Sequence, residues 1–181
     1  RCFLRYLKQW DSFPNFQINM HSFEVRGGKK LQGEIIPQGA KNEALQIISA
    51  VLLTPEEVTI NNIPDIIDVN LLIELLGEMN VTINRSSRHT CTFKADNVNI
   101  DYLHSESFKK KSGMLRGSVM FAGPMLARFK KAFIPKPGGD KIGRRRLDTH
   151  IIGFEKLGAT YTYHDDGFFH LEGNKMKGTS L

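Results

Sequence analysis

The densest group of residues that could do chemistry lies in residues 137–150. Glycines at the start of this stretch allow a sharp turn of the backbone and close approach of a ligand. An acid, Asp140, stands at the predicted turn, and Arg144, Arg145 and Arg146 follow it. Arginine side chains match the oxygens of phosphates and carboxylates in pairs. The stretch therefore predicts an anion site beside a candidate acid, although a solvated basic loop would have the same composition.

A second polar group, Lys41 and Asn42, stands directly before a stretch with helical periodicity. The apolar face of that predicted helix consists of Ala44, Ile47, Ile48, Val51 and Leu52. A helix N-terminus offers free backbone N–H groups and the positive end of the helix dipole, and both attract an anion. Lys41 and Asn42 are therefore candidates for anion binding. Two commoner roles stay open, because Asn42 could cap the helix and Lys41 could be an ordinary surface lysine.

Short strands and amphipathic helices alternate along the rest of the chain. Strands are predicted at residues 23–26, 31–37, 58–60, 81–83, 92–93, 132–136, 160–164 and 168–171, with polar hairpin turns at 84–88 and 165–167. Further helices are predicted from Val69 to Met79, from Lys109 to Leu126 with a kink or split at Gly123-Pro124, and from Asp148 through Ile151, Ile152, Phe154 and Leu157. These elements predict an α/β fold.

The order of the predicted elements repeats. Residues 70–80 of the first copy correspond to residues 148–158 of the second, with the same order of helix, strand and hairpin around them. Two copies of one α/β unit predict an internally repeated fold. The second copy ends near Leu171, and the residues after it read as the start of another strand, so we expect a truncated sequence.

Composition limits the class of protein and its partners. The chain has 181 residues and a formal net charge of +6, which suits one globular domain, or one domain and part of another, with anionic partners. Its two cysteines are too few for a disulfide framework or a cysteine-rich zinc site, and its six histidines show no metal-ligand spacing. No apolar run reaches the roughly 18 residues of a membrane span, and residues 1–19 lack the apolar core of a signal peptide. We therefore expect a cytoplasmic protein without a metal site.

Seven short blocks, taken together and in order, resemble the UDP-N-acetylglucosamine 1-carboxyvinyltransferase family of enolpyruvyl transferases. The blocks are residues 39–42, 115–118, 123–129, 137–140, 142–145, 148–150 and 157–159. Any single block would be a weak signal, but their combination is specific. The resemblance begins at about Met20 and runs to the end of the chain, so residues 1–19 are expected to be an extraneous extension.

The resemblance implies an inside-out α/β barrel, in which two similar domains are each built from three repeats of one α/β unit. Ligands of this family bind in the cleft between the domains. By this resemblance, residues 20–40 supply strands to the second domain, and residues 41–181 form about two of the three repeats of the first. A C-terminal domain that this sequence lacks would complete the cleft.

The activity that the resemblance implies is transfer of the enolpyruvyl group of phosphoenolpyruvate to the 3-hydroxyl of UDP-N-acetylglucosamine, with release of phosphate. This is the first committed step of peptidoglycan synthesis. The implied partners are these two small molecules, with no nucleic acid, no membrane, no metal and no organic cofactor. The fragment alone is expected to be inactive.

The resemblance also implies roles for particular residues. The implied substrate-binding residues are Lys41 and Asn42, Arg116, and the segment Arg145, Arg146, Leu147, Asp148 and Thr149 along the uridine nucleotide. Asp140 stands at the proton-donor position, where many members of the family have cysteine. Two departures are visible, because Arg146 stands where many members have proline and Thr149 where leucine is common.

Two rival interpretations stay open. The sister enzyme that acts on shikimate 3-phosphate shares the fold and phosphoenolpyruvate, but it has a Lys-Ser pair where this chain has Lys41 and Asn42. A basic module that binds nucleic acid would interleave aromatic side chains with its cations. The triplets at residues 109–111 and 144–146 lack such aromatics.

Overall fold

The computed structural model describes residues 27, 28, 30, 32–135, 146–163 and 168–180. The predicted extension at residues 1–19, the predicted strand at 23–26, the predicted turn at 165–167, and Asp140, Arg144 and Arg145 lie outside these residues. The chain divides into two units, Arg1–Ile35 and Ile36–Leu181, and every helix and strand below belongs to the second.

Helices and strands alternate through the second unit. In chain order they are α1 (Lys41–Ala50), β1 (Glu57–Ile60), α2 (Ile67–Glu78), β2 (Thr82–Ser87), β3 (Thr90–Lys94), α3 (Glu106–Met114), α4 (Ala122–Phe129), β4 (Lys131–Pro135), α5 (Asp148–Lys156), β5 (Thr160–Tyr163) and β6 (Phe168–Glu172). Short 3-10 turns at Val51–Leu53, Asp101–His104 and Arg116–Phe121 join some of them. None of the helices formed by the described residues is long and apolar enough to cross a bilayer.

Two antiparallel sheets of the same design confirm the predicted repeat. Their strand orders are β1-β3-β2 and β4-β6-β5. The register is also shared, because Glu57 lies opposite Lys94 in the first sheet and Lys131 lies opposite Glu172 in the second. The start of β2 is as far from the start of β5 along the chain as β3 is from β6, and residue 70 is equally far from residue 148. The repeat in sequence therefore corresponds to a structural duplication.

The turn that ends the second helix of each copy shows the same backbone with different chemistry. Asn80 and Gly158 occupy equivalent positions, with φ of 67° and 95°. In the first copy the Asn80 side-chain amide donates a hydrogen bond to the carbonyl oxygen of Asn97 at 2.8 Å. In the second copy a Cβ at Gly158 would lie 2.7 Å from the carbonyl oxygen of Lys175, so only glycine fits there.

The core is filled by apolar side chains from both copies. The fully buried ones include Ile48, Leu52, Leu72, Leu75, Leu76, Phe93, Met125 and Leu126. Each large apolar side chain of this kind contributes roughly 1.5–3 kcal/mol by leaving water. α2 packs against α1 and α3, whereas α5 packs against β5 and has no fully buried residue.

In two helices, the buried face differs from the apolar face predicted from the sequence. In α1, Leu45 is buried and Ile47 is 46% exposed, because Leu45 is turned towards Gly117 of the neighbouring 3-10 turn. In α5, Ile151 is half-buried and Ile152 is 50% exposed. Successive helical residues point about 100° apart, so Ile151 and Ile152 cannot both face the sheet against which α5 packs.

The predicted long helix from Lys109 is wrong. α3 ends at Met114, and the helix is interrupted at Leu115, which has an extended backbone with φ of −120° and ψ of 111°. The buried Ser118 hydroxyl stabilises this break by donating a hydrogen bond to the Leu115 carbonyl oxygen at 2.7 Å. Pro124 does not kink a helix, because it lies in the first turn of α4, where its missing N–H has no helical partner to lose.

The predicted hairpin turn at residues 84–88 is also wrong, because β2 continues to Ser87 with a bulge after Arg85. The polar residues there face solvent from a paired strand. The Arg85 guanidinium donates a hydrogen bond to Asn70 of α2 at 2.9 Å, which holds the strand beside that helix. The predicted strand at residues 31–37 fails as well, because residues 32–37 form no strand.

A charged network ties α3 to α2. The Lys111 ammonium contacts Glu74 at 2.5 Å and Glu78 at 2.6 Å, and the Tyr102 hydroxyl donates a hydrogen bond to Glu78. Hydrogen bonds from Lys111 and then from Tyr102 lower the pKa of Glu78 below its ordinary value. The hydrogen bonds to Glu74 and Glu78 raise the pKa of Lys111.

We expect this network to make stability fall in acid. A carboxyl whose pKa is lowered by folding stabilises the fold above its ordinary pKa of about 4.3, and loses that contribution as the pH falls through the lower value. Glu78→Gln should therefore reduce the free energy of unfolding at about pH 7 and have a smaller effect at about pH 3, measured by urea unfolding. Glu106→Gln is the control, since Glu106 is 91% exposed and lies 3.9 Å from Lys109. An equal effect of Glu78→Gln at both pH values would contradict the prediction.

Candidate functional site

The approach to α1 is fixed by the backbone of Gly39. A Cβ at this position would lie 2.0 Å from the carbonyl oxygen of Asn62, a distance no side chain tolerates. Asn62 itself has a left-handed backbone, with φ of 57°. The loop before α1 and the loop before α2 are therefore in direct contact, and this contact places Lys41, the first residue of α1.

We expect Gly39→Ala to reduce the free energy of unfolding by roughly 1–3 kcal/mol, the usual cost of overpacking. The reason is that the added methyl group meets a backbone oxygen, which cannot rotate away as a side chain would. Gly113→Ala is the matched control, because a Cβ at Gly113 in α3 has no neighbour within 4 Å. Urea unfolding of both variants checks the prediction, and equal stability of the two would refute it.

Lys41 joins the N-terminal ends of α1 and α2. Its ammonium forms an ion pair with the carboxylate of Asp68 in the first turn of α2, and the two side chains are 47% and 38% exposed. Asn42 is the next residue of α1 and is exposed. The cap position of α1 is held by Ala40, so the alternative role of Asn42 as a cap is wrong.

Arg116 lies beside α1 at the start of a 3-10 turn. The backbone of Gly117 packs on Leu45 of α1, and a Cβ there would lie 3.0 Å from a methyl group of Leu45. The Arg116 guanidinium donates a hydrogen bond to the carbonyl oxygen of Arg146 at 3.5 Å. The structure thus brings together α1, Arg116 and the chain that leads into α5.

Residues 146–149 lead into α5 and form its first turn. The Arg146 guanidinium is paired with the carboxylate of Asp148, and both side chains are largely accessible. Leu147 is buried at the cap position, and Thr149 is exposed. The helix begins at Asp148, as predicted.

Three helices at the candidate site lack a side-chain cap. The cap positions of α1, α2 and α5 are held by Ala40, Ile66 and Leu147, and none of these forms a side-chain capping bond. By contrast, Ser105 caps α3 and accepts a hydrogen bond from the N–H of Phe108 at 3.1 Å. Uncapped helix starts keep backbone N–H groups available to an anion.

Sequence reasoning missed Asp68 and Gly117. An acid in the first turn of a helix is a recognised start signal, so Asp68 could have been noticed. Its contact with Lys41 joins two different helices, and the periodicity of one helix gives no information about such a contact. Gly117 lies in one of the seven blocks that carry the resemblance, but its packing against Leu45 is not visible in the sequence. Within the described residues, no group of three or more His, Cys, Asp or Glu is arranged to hold a metal ion.

The chain belongs to the EPSP synthase (3-phosphoshikimate 1-carboxyvinyltransferase) family, whose model matches residues 25–181. The crystal structure of the enolpyruvyl transferase NikO from Streptomyces tendae is similar, with a TM-score of 0.65 and 21% sequence identity. The match covers 84% of this chain and 32% of that one. This likeness confirms the predicted enolpyruvyl transferase fold, in a partial form.

Several curated relatives share one name. The chain is 58% identical over 163 residues to UDP-N-acetylglucosamine 1-carboxyvinyltransferase of Porphyromonas gingivalis. This match covers 90% of this chain and 38% of that relative. A protein of the same name from Bacteroides fragilis is also 58% identical, with the same coverage. The relative of that name from Borreliella burgdorferi is 40% identical over 162 residues, covering 90% of this chain and 36% of the relative. The chain spans 38% of the length of the first two.

Proposed function

We propose that this chain forms part of an enzyme that transfers the enolpyruvyl group of phosphoenolpyruvate to the 3-hydroxyl of UDP-N-acetylglucosamine and releases phosphate. The observation that carries the proposal is the 58% identity, over 90% of the chain, to relatives named for that activity. The reaction would be the first committed step of peptidoglycan synthesis, in the cytoplasm.

The proposed reaction is an addition followed by an elimination. A proton goes to C3 of phosphoenolpyruvate while the sugar hydroxyl attacks C2 and gives up its own proton. The tetrahedral intermediate then loses phosphate and a proton from C3, which restores the double bond. Both substrates carry several negative charges, so preorganised cations and backbone N–H groups supply the main stabilisation. Proton transfer and charge stabilisation suffice for this chemistry, and the proposal includes no metal or organic cofactor.

In this proposal Lys41 and Arg116 serve the substrate anions, and Asn42 lies next to them in the substrate cleft. The uncapped starts of α1 and α2 and the pairing of Arg116 with the chain before α5 support this assignment. Arg145, Arg146, Leu147, Asp148 and Thr149 are proposed to lie along the uridine nucleotide. Asp140 is proposed as the proton donor.

We further propose that residues 20–40 belong to a second domain, that residues 41–181 are about two repeats of the first, and that the remaining length of the relatives completes the cleft. A cleft closed on one side only would neither hold two substrates in register nor exclude water.

The 181-residue chain alone should therefore be inactive. Phosphate release from phosphoenolpyruvate in the presence of UDP-N-acetylglucosamine should stay at the level of a protein-free control. A full-length protein, extended to the length of the relatives, should release phosphate in the same assay. Clear turnover by the chain alone would contradict the proposed two-domain cleft.

The rival acceptor is shikimate 3-phosphate, because the family model bears the name of that enzyme. Calorimetric titration of the full-length protein with UDP-N-acetylglucosamine, shikimate 3-phosphate and single-stranded DNA separates the three interpretations. We expect heat of binding with UDP-N-acetylglucosamine only. Binding of shikimate 3-phosphate or of DNA in its place would overturn the proposed function.

A further inference from the structure

The ion pair between Lys41 and Asp68 joins a flexible side chain to a rigid one. Lysine has a flexible four-carbon stem and loses rotamer freedom when its ammonium is fixed. At 47% exposure, the Lys41 side chain is not held in one place by burial. Its direction in the ligand-free chain is therefore set chiefly by Asp68.

Asp68 is well suited to hold another side chain. It lies in the first turn of α2, where the helix dipole favours a carboxylate. The next residue, Val69, is fully buried, and so is Leu72 one turn later, so the backbone beneath Asp68 is fixed by the core. An aspartate has a short side chain, so its carboxylate can reach only a few positions once the backbone is fixed.

The second copy has a related contact at the start of its second helix. When residue 70 is aligned with residue 148, Asp68 is aligned with Arg146. The backbone oxygen of Arg146 accepts a hydrogen bond from Arg116, which opens the first helical turn of the second copy. In each copy, a cation at the start of the first helical segment therefore contacts the start of the second helix, through a side-chain carboxylate in the first copy and a backbone oxygen in the second.

We propose that Asp68 is a positioning residue that orients the Lys41 ammonium towards the phosphoenolpyruvate anion before the substrate arrives. This inference rests on the proposed function. Prior orientation lowers the entropy that substrate binding must take from the lysine side chain. Once phosphoenolpyruvate is bound, its own charges hold the Lys41 ammonium in place, so the loss of Asp68 weakens binding and affects KM and not kcat.

A competing role would have the opposite sign. Asp68 is an anion close to a proposed anion site, so it could compete with the substrate for Lys41. Removal of its charge would then tighten the binding of phosphoenolpyruvate. The direction of the change in KM therefore separates a positioning role from a competing one.

The test is a double-mutant cycle in the full-length enzyme, with steady-state kinetics in phosphoenolpyruvate. Asp68→Asn should raise KM about tenfold, which corresponds to ~1.4 kcal/mol, and leave kcat within about twofold. In the Lys41→Ala background, Asp68→Asn should change KM by less than about twofold, because the side chain on which it acts is gone.

Asp96→Asn is the matched control. Asp96 forms an ion pair of similar exposure with Lys94, at 2.9 Å and with side chains 49% and 44% exposed, at the end of β3. Removing the charge of Asp96 should leave KM unchanged. This result would exclude a general effect of removing one surface charge.

The outcomes are distinguishable. If Lys41→Ala itself leaves the kinetics unchanged, the proposed role of Lys41 and the proposed function of this site fail. If Lys41→Ala is impaired but Asp68→Asn lowers KM, leaves it unchanged, or has the same effect with and without Lys41, the positioning role of Asp68 is overturned. A tenfold rise in KM that disappears in the Lys41→Ala background supports it.

Discussion

Replacing Lys41 with alanine in the full-length protein should lower turnover by about 100-fold or more, the typical loss when a preorganised charge contact is removed. The fold should hardly change, because Lys41 is half-exposed and its ion pair with Asp68 lies at the surface. Such surface changes usually alter the free energy of unfolding by no more than about 0.5 kcal/mol. Arg145→Ala should also lower turnover, because Arg145 is proposed to lie along the bound uridine nucleotide.

Lys94→Ala is the control for this prediction. Lys94 is 49% exposed and forms an ion pair with Asp96, but it lies at the end of β3. Its replacement should leave both turnover and unfolding unchanged, measured by phosphate release and by urea unfolding. A large loss of stability with a small loss of turnover in Lys41→Ala would show that this lysine supports the fold and not the chemistry.

Replacing Asp140 with cysteine should make the full-length protein sensitive to epoxides. By the family resemblance, Asp140 occupies the position of a cysteine that the epoxide fosfomycin alkylates. A thiolate is a strong nucleophile towards carbon, whereas a carboxylate is a poor one. Wild type should therefore keep its activity during incubation with fosfomycin, and Asp140→Cys should lose activity progressively, with a covalent adduct at position 140 by mass spectrometry.

Cys91 provides an internal control for that experiment. It is fully buried in β3, so it should stay unmodified in both proteins. If wild type is inactivated as fast as Asp140→Cys, then Asp140 does not occupy the reactive position.

The positions of Lys41 and Asn42 at a helix start could be predicted from sequence because the apolar period that follows them is regular. The repeat could also be predicted, because residues 70–80 and 148–158 and the hairpins after them are the same distance apart in sequence. The structure keeps this correspondence in the pairing of the two hairpins and in the positive φ of Asn80 and Gly158. In both cases the information is local, or is repeated within the chain.

The break after α3 could not be predicted from local signals. Its causes are the buried Ser118 hydroxyl and the contact of Gly117 with Leu45, which joins two distant parts of the chain. Gly123 and Pro124 gave a stronger local signal nearby and misplaced the break. The contact of Asp68 with Lys41 was hidden for the same reason, since it exists only when α1 and α2 lie together.

The hairpin of the first copy shows tertiary contacts overriding composition. The residues of β2 after Ile83 are polar, and their composition predicts a turn. Pairing with β3 and the hydrogen bond from Arg85 to Asn70 keep them in a strand. The polar composition of a solvent-facing strand at the edge of a sheet can therefore wrongly predict a turn.

The central claim is that this chain belongs to an enzyme whose acceptor is UDP-N-acetylglucosamine. Its most direct test is product analysis by mass spectrometry after incubation of the full-length protein with phosphoenolpyruvate and either acceptor. We predict a product with the mass of UDP-N-acetylglucosamine plus one enolpyruvyl group, formed together with an equal amount of phosphate, and no product from shikimate 3-phosphate. A product from shikimate 3-phosphate, with none from UDP-N-acetylglucosamine, would contradict the claim.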